Sequence, residues 1–126
     1  MTREVFTTAT FIERLKALPT HVVYGQLTGS EEWGDNMARY VPEHMREGVV
    51  LWVALGIEPG SFLSAVLRND LFDALGRADA INERCLMDWA RFFYGSAPSN
   101  CYGSEDLYKA WIKRGGLIGK EEGSEK

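Results

Sequence analysis

The stretch GIEPGSFLSAVLRNDLFDALGRAD, residues 56–79, decides the fold. Glycine ends a helix without a Cβ penalty and Pro59 stops its continuation, so GIEPG reads as a tight corner. Beyond it Phe62, Leu63, Val66, Leu67, Leu71, Phe72 and Leu75 recur at helical spacing. That period predicts one amphipathic helix over 61–75, with Ser61 as its cap. Leu67 and Leu71 read as core. Arg68, Asn69, Asp70, Asp73 and Arg77 fall on the remaining faces. Asp73 and Arg77 stand four apart, the spacing at which opposite charges pair on a helix surface. Asn69, Asp70 and Arg77 border the apolar stripe, where unpaired polar groups are costly. They are therefore expected to form a structural polar network with Asn100 and Tyr102 of a later loop.

Upstream of this stretch, Pro42 stands where proline is favoured, at the first turn of a helix. Met45, Val49, Trp52 and Val53 step along one face, and VVLWVAL is apolar all round. The pattern predicts a buried helix over 42–56. Downstream, Asp79 is a good N-cap for AINERCLMDWARFFYG, predicting a helix over 80–94 with Trp89 and Phe93 in the core. The loop SAPSNCYGS follows. Ser104 then caps EDLYKAWIKR, a helix over 105–114 with acids in its first turn and Lys113 and Arg114 in its last, as the macrodipole favours. The tail 119–126 has no apolar anchor and is expected to be a disordered polar segment.

The N-terminal third reads as irregular. TATFIERLKALP predicts a short helix over 10–18, capped by Thr8 or Thr10 and stopped by Pro19. HVVYGQL, residues 21–27, is β-branched and aromatic enough for a strand. It needs a partner, either REVFT at 3–7, which would complete a short β-hairpin, or a second chain. From Thr28 to Asn36, Gly, Ser, Asp and Asn mark a loop that carries Trp33. The expected architecture is mainly α, a compact bundle of four to five helices with an irregular N-terminal third. It forms a single domain over 1–118, divided into a variable segment 1–38 and a helical core 39–117.

The composition fits that reading. The chain has 126 residues, 45% of them apolar and 12% aromatic, enough for one domain with one core. Its formal net charge is −4. Proteins that bind duplexes gain affinity by neutralising phosphates. The densest basic group here is Lys109, Lys113 and Arg114, so direct nucleic-acid binding is not expected. An acidic balance suits a basic protein surface instead. The longest apolar run, VVLWVALGI at 49–57, falls well short of the ~20 residues a spanning helix needs. Cys85 and Cys101 make no disulfide framework, and MTREVFTTAT has no apolar leader, so a cytoplasmic chain with reduced thiols is expected.

No chemistry-bearing pattern emerges. Zinc takes four ligands at close spacing, whereas His21, His44, Cys85 and Cys101 fall in four separate segments, so no metal is expected. Cys101 is the best nucleophile candidate, yet no base stands near it in sequence, and it reads as a small apolar residue under its loop. Asp70 and Asp73 share a helical face, a spacing common on solvated surfaces. GGLIG at 115–119 lacks the strand and helix of a phosphate loop. Neither a catalytic residue nor a cofactor is assigned.

The segment RYVPEHMREGVVLWVALGIEPGSFLSAVLRNDLFDALGRAD, continued by NERCLMDWARFFYGSAPSNCYGSEDLYKAWIKRGGL, resembles a family of small proteins from phages and prophages. The likeness spans residues 39–117, about two-thirds of the chain. It implies a genetic setting rather than a reaction. In that setting the expectation is a non-catalytic inhibitor, an anti-CRISPR or other anti-defence protein, that binds a host or phage protein in the host cytoplasm. The expected contact surface is acidic and aromatic, carried by Glu31, Glu32, Trp33, Asp35 and Asp73. Such a surface suits the nucleic-acid-binding groove of a partner complex, and a homodimer is compatible with it. The competing expectations are a protein that binds or sequesters a small nucleotide signal, and a virion accessory.

Overall fold

A computed structural model describes the backbone of residues 6–123 and the side chains of residues 6–120. Among the described residues there are ten helices and no strand. The mainly helical class is as expected. The β-hairpin is not seen, and REVFT lies largely outside the described residues.

Helix α1 (Thr8–Ala17) starts from a reciprocal cap at Thr7. Thr7 Oγ1 accepts the Thr10 amide at 3.2 Å, and Thr10 Oγ1 accepts the Thr7 amide at 3.0 Å. Helix α2 (Thr20–Thr28) replaces the expected strand. Pro19 caps its start and Gly29, at φ 75°, turns its end left-handed. Val23, Tyr24 and Leu27 are fully buried on its inner face. Burial at helical spacing overrides their β propensity. Helix α3 (Glu31–Tyr40) occupies most of the expected loop. Ser30 accepts the Trp33 amide at 3.1 Å, and Glu31 and Glu32 stand in the first turn, where the helix dipole favours acids. Helices α2 and α3 cross backbone to backbone at Gly25 and Gly34. A Cβ on Gly34 would sit 2.6 Å from the His21 carbonyl oxygen.

Helix α4 (Glu43–Leu55) runs through the middle of the fold with Val49, Val50, Trp52, Val53 and Ala54 buried. Trp52 organises what surrounds it. Its indole N–H donates to the Cys101 carbonyl at 3.0 Å, its ring stacks on Tyr108 at 4.8 Å, and its own carbonyl accepts the Trp111 indole N–H at 2.7 Å. Buried indole N–H groups need such partners. Two segments distant in sequence, the loop at Cys101 and the stretch holding Tyr108 and Trp111, are thereby fixed to one residue.

The expected single helix over 61–75 is two, α5 (Ser61–Leu67) and α6 (Leu71–Arg77). The expected helix over 80–94 is also two, α7 (Ala80–Arg84) and α8 (Leu86–Ser96), parted at Cys85. Asp79 caps α7 as expected, accepting the Asn82 amide at 2.7 Å. Ser104 likewise caps α9 (Glu105–Arg114), accepting the Leu107 amide at 3.1 Å. Gly60, not Ser61, caps α5.

Helix α10 (Gly116–Gly123) corrects the expected disordered tail over 119–123, while 124–126 lie outside the described residues. It is anchored by Ile118, which is fully buried, and it packs on α4 and α9. The chain reaches it through Gly115 and Gly116, both left-handed at φ 77° and 71°.

Candidate functional site

The corner between α5 and α6 shapes the most distinctive surface. Asn69 adopts φ 62°, a left-handed conformation that asparagine tolerates better than most residues. The Asp70 amide donates to the Ala65 carbonyl at 2.9 Å and the Asn69 amide to the Val66 carbonyl at 3.0 Å. Together these bonds close α5 in a Schellman motif. Asp70 then opens the next helix at once, its Oδ1 accepting the Asp73 amide at 3.0 Å. Two caps back to back turn the chain and take the second half of the apolar stripe off the core.

Leu67 is fully buried, but Leu71 is 61% exposed and Phe72 87% exposed. Leu71 is therefore not the core residue its periodicity suggests, whereas Leu67, Trp89 and Phe93 are. Helix α6 buries Ala74 alone. Between α6 and α8 lies a groove of about 480 Å³. Val66, Ala74, Trp89 and Phe93 line its floor, and Leu71 and Tyr94 stand at its rim, Tyr94 87% exposed. Its polar lining includes Asn69, Asp70, Arg91 and Tyr102. Phe72, Leu75 and Met87 extend the exposed apolar surface outside it. A contiguous apolar patch with a polar edge marks an interaction surface.

The expected polar network is absent as drawn. Asp70 and Asn100 are exposed, and among the described residues no hydrogen bond joins Asn69, Asp70 or Arg77 to Asn100 or Tyr102. Asp70 finds its partner in the local backbone, which a cap offers more cheaply than a long-range bridge. The two segments are joined by backbone instead, the Gly103 amide donating to the Leu67 carbonyl at 2.8 Å. Tyr102 packs on Phe93 and shares the groove wall with Asn69 and Asp70.

Arg77 serves Asp73, as its spacing predicts, at 2.8 Å, and Arg68 reaches the same carboxylate at 3.2 Å. The Arg77 hydrogen bond, with Arg68 beside it, holds the Asp73 carboxyl below its ordinary value. Asp73 is thus neutralised by its neighbours, which weakens it as an acidic contact for a partner. Glu31, Glu32 and Asp35 are exposed and make no ion pair among the described residues, while Trp33 is half-buried against the core. These four stand on α3, apart from the groove.

His21 lies on α2, His44 on α4, Cys85 between α7 and α8, and Cys101 in the loop before α9. His44 Nε2 contacts Asp79 Oδ2 at 3.0 Å. Among the described residues no three His, Cys, Asp or Glu side chains converge on one point, and no helix is long and apolar enough to cross a membrane.

Cys101 is fully buried, and burial pushes its thiol up to about 12. Nucleophilicity belongs to the thiolate, so this sulfur is inert in the folded chain. Iodoacetamide should label the partly exposed Cys85 and spare Cys101 until the chain is denatured. Peptide mass spectrometry reads both sites, and rapid native labelling of Cys101 would refute its burial.

Sequence reasoning missed one polar chain. Ser64 Oγ donates to the Tyr108 hydroxyl at 2.9 Å, which donates to Glu58 Oε1 at 3.1 Å. Burial holds the Tyr108 phenol above its ordinary value, so it stays protonated and gives Ser64 no base. Lys109 and Arg114, from the densest basic group, are engaged locally, with Glu105 at 4.0 Å and over the Trp111 ring at 4.5 Å.

No protein-family model, no curated protein and no solved structure matches this chain.

Proposed function

We propose that this chain is a non-catalytic protein-binding module, acting as a phage-type inhibitor of a host defence complex, and that it docks its target through the groove between α6 and α8. The setting rests on the resemblance of residues 39–117. The docking face rests on the groove itself, with Leu71 and Tyr94 in the open at its rim and Phe72 exposed next to Leu71 in the chain. Aromatic, Met and Arg side chains around an apolar centre are the composition of interface anchors. An apolar helical row on the target fits such a groove. The acidic residues of α3 then form a second, weaker surface that steers encounter rather than holding the complex.

A small ligand is the second reading, favoured by one observation. The groove volume of about 480 Å³ lies within the usual range for ligand pockets. A nucleotide fits it less well, because its phosphates would meet a single guanidinium, Arg91, and the Asp70 carboxylate.

Phe72→Glu separates the readings. Phe72 is largely exposed, so the variant should keep its helical circular dichroism and its melting temperature. Affinity-tagged wild-type chain should retain a protein in stoichiometric amount from host lysate, identified by mass spectrometry, and the variant should lose it. Equal recovery by both chains would refute the groove as the docking face. Nucleotide released from the purified chain on heating would favour the second reading.

A further inference from the structure

We propose that the same groove also joins two copies of this chain across a two-fold axis, with Asp70 of each copy facing Arg91 of the other and the Leu71–Phe72 edge of each α6 entering the opposite groove. This rests on the groove being a protein-docking face, and it names what occupies that face when no target is present.

A two-fold interface must be complementary to itself, in shape and in charge. The shape condition is met by adjacency. Leu71 lines the groove and is itself 61% exposed, and its chain neighbour Phe72 is 87% exposed, so a concave surface and exposed apolar side chains adjoin. The charge condition is met by composition. Among its lining residues the groove has one carboxylate, Asp70, and one guanidinium, Arg91. Among the described residues no bond joins the two. Asp70 commits Oδ1 to capping α6, and among the described residues its Oδ2 takes no hydrogen bond. Arg91 has only a 3.4 Å contact to Asp88. Among the described residues Asp70 therefore has no cation against it and Arg91 only this long, solvent-exposed pair with Asp88, and a two-fold mate supplies a closer opposite to each at once.

The rest of the molecule points the same way. The chain carries a net charge of −4, so two copies repel across most of their surfaces. The charged pair lining this groove sums to zero, so it is a face where copies meet with little repulsion. The arrangement carries a regulatory consequence. A target must displace the second copy, so its apparent affinity falls as the chain becomes more concentrated.

Sedimentation velocity on the purified full chain tests the inference without any target. Wild-type chain should be dimeric at high micromolar concentration and dissociate on dilution. Phe72→Glu and Arg91→Glu should be monomeric at concentrations where wild type is dimeric. Asp70→Asn keeps the cap, since asparagine caps as well as aspartate, and removes the charge. It should shift the midpoint of dissociation about tenfold toward monomer. Unchanged circular dichroism would show that all three variants fold. Monomeric wild type at the highest attainable concentration would overturn the dimer, as would a dimer untouched by Phe72→Glu and Arg91→Glu. A monomeric wild type with target capture still lost in Phe72→Glu would sink the dimer and leave the docking face standing. A dimer broken by Phe72→Glu, with target capture retained in that variant, would do the reverse.

Discussion

Gly116→Ala should destabilise the fold by about 2–5 kcal/mol, with the denaturant midpoint falling accordingly. Two costs add. Residue 116 sits at φ 71°, where an L side chain is strained by about 1–2 kcal/mol. Its new Cβ would then stand 2.5 Å from the Ala54 carbonyl carbon and 2.6 Å from the Leu55 amide nitrogen. Those are backbone atoms of the central helix and cannot swing aside, so overpacking adds roughly 1–3 kcal/mol. Gly95→Ala is the matched control. It lies within α8, and apart from its own helix backbone nothing would stand within 4 Å of its added Cβ. That change should be neutral or stabilise by about 0.5–1 kcal/mol, since alanine is the better helix former. A cost for Gly116→Ala below about 0.5 kcal/mol, the range of surface changes, would mean that α10 does not lie on α4 as described.

Leu67→Ala and Leu71→Ala should part company just as sharply. Sequence periodicity makes them equivalent, four apart on one stripe. Leu67 is fully buried, and truncating it removes transfer energy and leaves a cavity, costing about 2–5 kcal/mol. Leu71 is 61% exposed, and its truncation should stay within about 0.5 kcal/mol. Urea unfolding of dilute protein reads both without a contribution from self-association. Equal costs would restore the single continuous helix and remove the groove.

The contrast between those leucines shows what a sequence can and cannot carry. Local chemistry was readable. Asp79 and Ser104 cap the helices they precede, and Asp73 pairs with Arg77 four residues on. The break at 68–70 was also written in local terms, since asparagine favours a left-handed end and aspartate a new start. A continuous apolar period masked it. SEEW at 30–33 carried a helix start as well, a capping serine followed by two acids, and its Gly, Asp and Asn neighbours outweighed it. HVVYGQL failed for another reason. Its strand propensity is real, and packing on α3 and α4 overrules it. The groove was beyond reach altogether. It joins Val66, Trp89 and Tyr102, which no spacing rule places together. Glu31, Glu32, Trp33 and Asp35, proposed as an acidic and aromatic contact surface, read as loop in the sequence and stand on α3 instead.

Helix α6 has a consequence for how this chain can change over generations. It buries one small side chain, Ala74, and is otherwise held by its caps and by arginine pairs at the surface. An element with so little packing sits at the low end of local stability and opens before the core does. Positions 71, 72 and 75 are therefore nearly free of the fold's demands, while they shape whatever meets the groove. Mutation can rewrite that wall and redirect recognition while Trp52, Trp89 and Trp111 keep the scaffold intact. For the inhibitor proposed above, that separation would let specificity drift without a toll on folding.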